Sequence, residues 1–353
     1  MKNHLHKIAV FSCILLCLTS CSHFSNDPMS KEQWYLNTPN NIYKEVMECK
    51  RDKQKEEAGE IVVAVIDGGI DFSHEDLQGL SWSNCNEVAD GLDNDGNGYI
   101  DDVYGWDFCA TKGISQITTE ESYYLHGTAI AGIIGAQHNH IGISGIVSKH
   151  RVKIMSLRVL NEEGQGDIDD VVSAIEYAES MGARICSMSF STEVYSEELD
   201  RVIKDSKMLF ITSAGNHNPL PTNLDREGAY IYPQCLTYEN IIVVAAFGPD
   251  GKLSDFSNYG ANMVDVAAPG DELLTTAPGN AYKEVYGTSY AVPFVTAVAA
   301  SLLCDDSSMS SLELRSALFE VTHYDALLRR DHRSRTLAPW NVYVRLLPSA
   351  PAP

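Results

Sequence analysis

The chain has 353 residues, which is long enough for one large α/β domain or two small ones. Its hydrophobic fraction of 44% is ordinary for a globular protein and argues against disorder in the middle of the chain. The formal net charge of −22 argues against nucleic-acid binding, because phosphates favour clustered lysines and arginines; it is compatible with bound cations or with solubility alone.

The first twenty residues have the pattern of an export signal. Lys2 and Lys7 precede an apolar run, residues 8–18, that is too short to span a membrane. The run ends in Leu18-Thr19-Ser20-Cys21, which resembles the lipobox of bacterial lipoproteins, where the cysteine carries lipid and becomes the mature N-terminus. This resemblance implies a bacterial cell-envelope protein attached to a membrane through lipid on Cys21. The alternative is an ordinary cleaved signal peptide.

Polar residues 21–58 follow the signal and are predicted to form a tether or a short prosegment. From residue 59 onward, short apolar runs alternate with segments of helical periodicity, which is typical of a parallel sheet buried on both faces. In Asp167–Met181 the apolar residues fall on one helical face, and Asp167 is a suitable N-cap. The pattern predicts a doubly wound α/β domain over residues 59–325, with strands in Ile61–Ile66, Val152–Leu157, Arg184–Phe190, Met208–Ser213 and Ile241–Ala246.

Three residues with catalytic potential lie where such a sheet exposes side chains. Asp67 directly follows the first strand, His126 opens a helix of small residues, and Ser289 lies in Gly-Thr-Ser-Tyr-Ala at the start of an apolar helix. Pro293 falls in or near the first turn of that helix, where a missing N–H is tolerated. Each feature alone is ambiguous, since an aspartate after a strand is often a cap and a lone histidine is usually structural.

Together and in this order, the three segments resemble the subtilisin-like serine peptidases of the subtilase family. The resemblance covers roughly residues 60–320 and implies a three-layer subtilisin-like α/β fold, with a central, mostly parallel sheet and helices on both faces. Further matching segments are Leu-Arg-Val-Leu at 157–160, Ser-Met-Ser-Phe at 187–190, Thr-Ser-Ala-Gly-Asn at 212–216, Phe-Ser-Asn-Tyr-Gly at 256–260 and Val-Asp-Val-Ala-Ala-Pro-Gly at 264–270.

The resemblance implies a secreted serine endopeptidase that hydrolyses proteins or peptides through an acyl-enzyme and needs no cofactor for the chemistry. Ser289 would be the nucleophile, His126 its base and Asp67 the group that orients the imidazole. Asn216 would donate its side-chain amide to the oxyanion. An extended substrate would pair with two backbone segments, Gly164-Gln165-Gly166 and Ser189-Phe190-Ser191, and main-chain pairing of this kind accepts many sequences.

Two other functions stay open: a dedicated processing peptidase for one partner, or a non-catalytic binding lipoprotein that keeps the fold. The four intact active-site residues argue against the second. Several positions also depart from the family pattern, which leaves the outer subsites undetermined. The departures are Gly68 for Ser or Thr, Ala129 for a second His, Ser191 for Gly, Gln234 for the Ala after Pro, and Tyr290 for the Met after the nucleophile.

Residues 93–104 resemble a calcium-binding EF-hand loop. Oxygen-bearing side chains alternate at Asp93, Asp95 and Asn97, and a glycine allows the turn. The bidentate Glu at position twelve is missing, and Asp101 or Asp102 would substitute for it. The alternative is a polar hairpin with Asn-Gly turns.

Cys85 and Cys109 bracket this loop and are predicted to form a disulfide, since disulfides are common in exported proteins.

A second structural calcium site is implied by the resemblance to the family. It would use Asp76 together with the loop that interrupts the histidine's helix, where Asn139 offers a side-chain oxygen. Gln137, Ile141 and Ile143 would each contribute a side-chain or backbone oxygen.

Residues 326–353 form a basic tail that follows the predicted domain. The tail either contacts an anionic membrane surface or lies on the acidic face of the protein itself. It includes a faint resemblance to the last helix of the family's domain at Asn341-Val342-Tyr343, and its basic residues are Arg329, Arg330, Arg333, Arg335 and Arg345.

Overall fold

The structure is a computed structural model that describes residues 26–37, 59–114, 124–147, 151–217, 220–320, 323–324 and 345–346. Five α-helices lie in these residues: α1 Leu125–Gly135, α2 Ile168–Ser180, α3 Glu197–Asp205, α4 Thr288–Asp305 and α5 Ser311–Glu320. The strands are β1 Ile61–Asp67, β2 Gly105–Asp107, β3 Lys112–Gly113, β4 Val152–Arg158, β5 Ile185–Met188, β6 Leu209–Ser213, β7 Ile241–Phe247, β8 Val266–Pro269, β9 Leu273–Ala277, β10 Ala281–Val285, β11 His323–Tyr324 and β12 Arg345–Leu346.

Ten of these strands form one sheet in the order β11-β12-β8-β7-β6-β5-β1-β4-β2-β3. The described strands from β12 to β2 pair in parallel, whereas the two edge strands, β11 and β3, pair antiparallel. Strands β9 and β10 form a separate hairpin. Because the main strands are parallel, their carboxyl ends meet along one edge of the sheet, which is where such folds bind ligands.

Each face of the sheet carries its own apolar core. Ile61, Val63 and Val65 of β1 pack on one face with helices α1, α4 and α5. Val62 and Ala64 point to the other face, toward α2 and α3. Burial on both faces explains why β1 is apolar throughout instead of alternating. The result is a three-layer α/β architecture, as expected from the sequence.

The sequence located the central strands and the main helices to within a few residues. Helix α2 begins where predicted, and the Asp167 side chain caps it by accepting the N–H of Asp169. Strand β5 is shorter than expected, because residues 189–191 leave the sheet and face the cleft described below. Pro293 lies inside α4, beyond its first turn.

Residues 26–37, which were predicted to be part of a tether, pack against the body of the domain. Tyr35 and Leu36 are in the core, and the Tyr35 ring meets Phe294 of α4 edge-to-face with 4.8 Å between centroids. The buried Gln33 exchanges two hydrogen bonds with the backbone of Ser144. This part of the segment is therefore integrated into the fold.

The predicted Cys85–Cys109 disulfide is wrong, because both thiols are free and exposed.

In the predicted tail, β12 joins the sheet by pairing Arg345 with Val266. Asn341–Tyr343 and the other tail arginines lie outside the described residues, as does Cys21. Among the described residues, α4 is long and apolar enough to cross a membrane by length and composition, but 89% of it is buried, as in a core helix.

Candidate active site

Asp67 and His126 form a hydrogen-bonded pair at the carboxyl edge of the sheet. Asp67 ends the central strand β1, and His126 lies in the first turn of α1. The imidazole Nδ1 is 2.8 Å from Asp67 Oδ2 and 3.0 Å from Oδ1. The carboxylate is buried and also accepts the backbone N–H of Gly68 at 2.7 Å. The backbone thus supplies a bond where the family pattern has a hydroxyl side chain.

The environment of His126 favours its protonated form. Burial lowers the pKa of the imidazole, but the charge of Asp67 and its hydrogen bond together raise that pKa above its ordinary value. The ring of Tyr290 lies beside the imidazole, with 5.0 Å between centroids. Since Tyr290 follows Ser289 directly, His126 contacts the residue adjacent in sequence to the predicted nucleophile.

Ser289 is the second residue of α4 and is 8% exposed. Its N–H lies in the first helical turn, where backbone donors have no partner within the helix. Pro293 cannot donate to the carbonyl of Ser289, and this carbonyl instead accepts the hydroxyl of Ser189 at 3.0 Å. The hydrogen bond ties the nucleophile's helix to the segment predicted to bind substrate.

Asn216 points its amide toward Ser289. Its Oδ1 accepts both the backbone N–H and the hydroxyl of Thr288, each at 2.9 Å, which leaves Nδ2 free to donate to another group. A Cβ built on Gly287 would lie 3.2 Å from Ser289 Oγ and 3.6 Å from Asn216 Nδ2, so both atoms border one small space. Gly287 has a φ of 144°, which only glycine adopts readily, and it keeps this space open.

A cleft of about 480 Å³ lies beside these residues. Leu125, His126 and Tyr290 line it on one side, with Ser189–Ser191 and the loop at 160–164 around the rest. Of the predicted substrate segments, Gly164 and all of residues 189–191 line the cleft, whereas Gln165 and Gly166 lie just beyond it. Asn161 shapes the loop, since its Oδ1 accepts the N–H groups of Glu163 and Gln165.

Several cleft residues were not predicted from the sequence. Glu162 and Glu163 place two exposed carboxylates on its rim. Burial and the charge of Asp67 raise the pKa of Tyr290 to about 12, so its hydroxyl stays protonated at neutral pH. No periodicity or motif marks Glu162 and Glu163, because only the folded loop brings them to the cleft, whereas Tyr290 was named only as a departure from the family pattern.

The acidic loop at 84–104 brings three carboxylates together. Ligand atoms of Glu87, Asp95 and Asp102 all lie within 4.8 Å of one another, and Glu87 and Asp102 are buried. Repulsion among them contributes to a raised pKa of Glu87, after the larger effect of desolvation. The oxygen-only set fits the chemistry of calcium.

This cluster differs from the predicted ligand set. It contains Asp95 but not Asp93 or Asp101, whose carboxylates accept backbone N–H groups of the loop. The Asn97 amide donates to Asp102, so its side chain braces the cluster. The carboxylates of Asp93 and Asp101 therefore hold turns of the loop, and their binding of a cation stays a prediction.

Asp76 presents a different oxygen site. It is fully buried; its Oδ2 accepts the N–H of Ile143 and the hydroxyl of Tyr282, and its Oδ1 has no hydrogen-bond partner among the described residues. Desolvation raises the pKa of this carboxyl. An unpartnered buried oxygen fits a cation ligand.

The other predicted ligands of this site are on the neighbouring loop. Asn139 Oδ1 accepts the N–H of Ile141, so this side-chain oxygen points toward the backbone of its own loop. The Gln137 N–H donates to the backbone carbonyl of Asp76. The backbone N–H of Ile143 reaches the Asp76 side chain. The loop is thus fastened to Asp76, and the Asn139 side-chain oxygen already accepts one hydrogen bond.

A family model described as the subtilase family matches residues 58–333. The chain is 30% identical over 290 residues to a thermophilic serine proteinase of Bacillus sp. (strain AK1), covering 81% of this chain and 61% of that protein. It is 32% identical over 267 residues to subtilisin-like protease 1 of Plasmodium falciparum (isolate 3D7), covering 70% and 38% respectively. The chain thus spans less than two thirds of the length of these relatives.

A solved structure gives a matching result for the fold. The crystal structure of a cold adapted subtilisin-like serine proteinase superimposes with a TM-score of 0.61 and 25% identity, over 83% of this chain and 90% of the other. The match extends beyond the catalytic segments to most of the chain.

Proposed function

Because the chain belongs to the subtilase family, we propose that it is a serine endopeptidase that hydrolyses proteins or peptides through an acyl-enzyme. The observation that carries this proposal is the Asp67–His126 hydrogen bond at the sheet edge, next to the helix terminus that presents Ser289. The orientation of the Asn216 amide supports the same reaction, because acyl transfer needs a preorganised donor for the oxyanion.

In the proposed mechanism, Ser289 Oγ attacks the scissile carbonyl while its proton passes to His126. Asp67 holds the imidazole and stabilises the imidazolium that forms. Asn216 Nδ2 and the Ser289 backbone N–H donate to the tetrahedral oxyanion. As the C–N bond breaks, His126 returns the proton to the leaving amine, and water then hydrolyses the ester on Ser289 by the same route.

A fluorophosphonate probe tests the proposal directly, because it reacts only with an activated serine. We expect the full chain to be labelled and Ser289→Ala to be unlabelled, with both proteins melting at similar temperatures. Absence of labelling in a folded wild-type chain would favour a binding protein that keeps the fold. A broad panel of unfolded proteins then distinguishes a general endopeptidase from a processing peptidase, which leaves most of them intact.

The cell-envelope location and calcium binding are further parts of the proposal. The segment ending at Cys21 supports secretion and lipid attachment. Calcium at the cluster of Glu87, Asp95 and Asp102 is supported by its converging carboxylates, and calcium at Asp76 by the unpartnered buried oxygen. In both places the ion would stabilise loops and would take no part in the chemistry.

A further inference from the structure

The position of the substrate's acyl residue follows from the proposed reaction, on which this inference rests. The attacked carbonyl must lie between Ser289 Oγ and Asn216 Nδ2, with the peptide paired to residues 189–191. The side chain of that residue (the P1 residue) then points between the segments that follow β5 and β6. Met188 and Thr212 at the ends of these strands are register partners, so the two segments run side by side. We call the space between residues 189–191 and 213–216 the P1 pocket.

Gln234 lies between the two walls of this pocket. It is 1% exposed, and its Nε2 donates to Ser213 O at 2.7 Å and to Phe190 O at 3.1 Å. A third acceptor, Thr212 Oγ1, is 3.2 Å away. One side-chain amide therefore bridges a carbonyl of each wall.

The turn that carries Gln234 is fixed to both walls. Thr192, just after the first wall, exchanges two backbone hydrogen bonds with Tyr232, at 2.8 and 2.9 Å. Ile231 packs against the second wall, since a Cβ built on Gly215 would lie 3.3 Å from Ile231 Cδ1. The backbone at Gln234 is therefore fixed, and its amide can withdraw only by side-chain rotation that breaks its own hydrogen bonds to the walls.

We propose that Gln234 forms the floor of the P1 pocket and restricts cleavage to substrates with a small P1 residue, such as Gly, Ala or Ser. A Leu or Phe side chain would have to displace the buried amide and leave two wall carbonyls without a donor, which is costly. This goes beyond the proposed activity, because it names the substrate class.

The test measures kcat/KM for peptides that differ only in a P1 Ala, Leu or Phe. We expect kcat/KM of the wild-type chain to be about tenfold or more higher for P1 Ala than for P1 Phe. Differences of this size are typical when a pocket excludes a large side chain. Gln234→Ala should raise the ratio of kcat/KM after Phe to kcat/KM after Ala about tenfold. Gln234→Met keeps most of the volume but loses the hydrogen bonds that hold the amide, so its preference should lie between those of the wild type and Gln234→Ala.

Asn240→Ala is the matched control, because Asn240 is another buried amide, which donates to Ile203 O and Ser206 O away from the cleft. It should lower the melting temperature without changing the P1 preference. A wild-type chain that cleaves after Phe as readily as after Ala overturns the inference, even if Gln234→Ala does not fold. Fluorophosphonate labelling separates the two proposals: a labelled enzyme with a flat P1 profile refutes only the role of Gln234, whereas an unlabelled, inactive chain refutes the peptidase.

Discussion

Thr288 and Gly287 prepare Asn216 for its proposed role before substrate arrives. Thr288 occupies the amide oxygen with two donors, so the nitrogen remains available beside Ser289. Gly287 leaves the adjacent space free of a Cβ. Donors that are already oriented need no reorganisation when charge develops, which is why they stabilise a transition state more than a ground state.

Replacing Asn216 with Ala should therefore lower kcat about 10²- to 10³-fold and leave KM nearly unchanged, because the lost donor acts on the oxyanion. Steady-state kinetics with one peptide substrate measures both constants. Thr288→Ser is the control, since it keeps the hydroxyl and the backbone N–H that orient the amide. Unchanged turnover in a folded Asn216→Ala protein would remove Asn216 from the mechanism.

For single residues, the sequence identified those that lie in short local motifs. It missed those whose role depends on contacts with residues far away in the chain. Asp67, His126 and Ser289 each lie within a recognisable segment. Gln234, in contrast, was noticed only as a departure from the family pattern, because its acceptors on Phe190 and Ser213 are more than 20 residues away in the chain. Such contacts leave no periodic signal in the sequence.

Elements buried on both faces were the easiest to predict. The strands at the centre of the sheet are apolar throughout, and α2 has a single apolar face, so both patterns determine the structure directly. Residues 26–37 were harder, because Trp34, Tyr35 and Leu36 form too short an apolar run to show a period. The partners of this segment, such as Ser144 and Phe294, come from distant parts of the chain.

The acidic loop shows the same limit within one element. Its residue types indicated a cation, but the backbone decides which oxygens converge. Asp93 accepts N–H groups from Gly96, Asn97 and Gly98 and thereby builds the turn, while Asp102 points inward and also accepts the Tyr177 hydroxyl. Alternation in the sequence cannot distinguish these two uses of a carboxylate.

Calcium should stabilise this element, because it relieves repulsion among Glu87, Asp95 and Asp102 and binds only the folded loop. A ligand at 100 times its Kd stabilises the folded state by about 2.7 kcal/mol. We expect a chelator to lower the melting temperature by several degrees, calcium to restore it, and Glu87→Gln to reduce the response. Differential scanning calorimetry measures each shift.

Asp101→Asn is the matched control, since an Asn oxygen can still accept the N–H groups of Asp90 and Gly91 and the calcium response should persist. A response that remains in Glu87→Gln and disappears on adding Asp76→Asn would assign it to the Asp76 site. A melting temperature that changes with neither chelator nor calcium would refute both sites.

The charge of the whole molecule bears on how it would attach to a membrane. The chain carries 48 acidic and 26 basic residues, and removal of residues 1–20 would take away two lysines and no acidic residue. Anionic lipids repel such a body, and the repulsion is screened only beyond about 8 Å at physiological salt. If the chain is attached to a membrane as proposed, the acidic body would contribute little, and lipid on Cys21 would provide the attachment.

The geometry at the N-terminus limits how far such an anchor would hold the domain from the membrane. Asp27 is buried, and its carboxylate accepts the His140 N–H and the Ser144 hydroxyl, so the chain is held against the domain at a point six positions after Cys21. An extended chain covers at most about 3.6 Å per residue, which places the domain within about 22 Å of the lipid.

Mass spectrometry of the N-terminal peptide checks this arrangement. We expect acylated Cys21 as the first residue of the mature chain, release from membranes by detergent but not by high salt, and loss of acylation in Cys21→Ser. Detergent dependence follows because acyl chains bind through apolar burial, about 0.8 kcal/mol per CH₂, which salt does not weaken. An unmodified Cys21, or a mature N-terminus elsewhere in a protein that salt releases, would instead support an ordinary signal peptide.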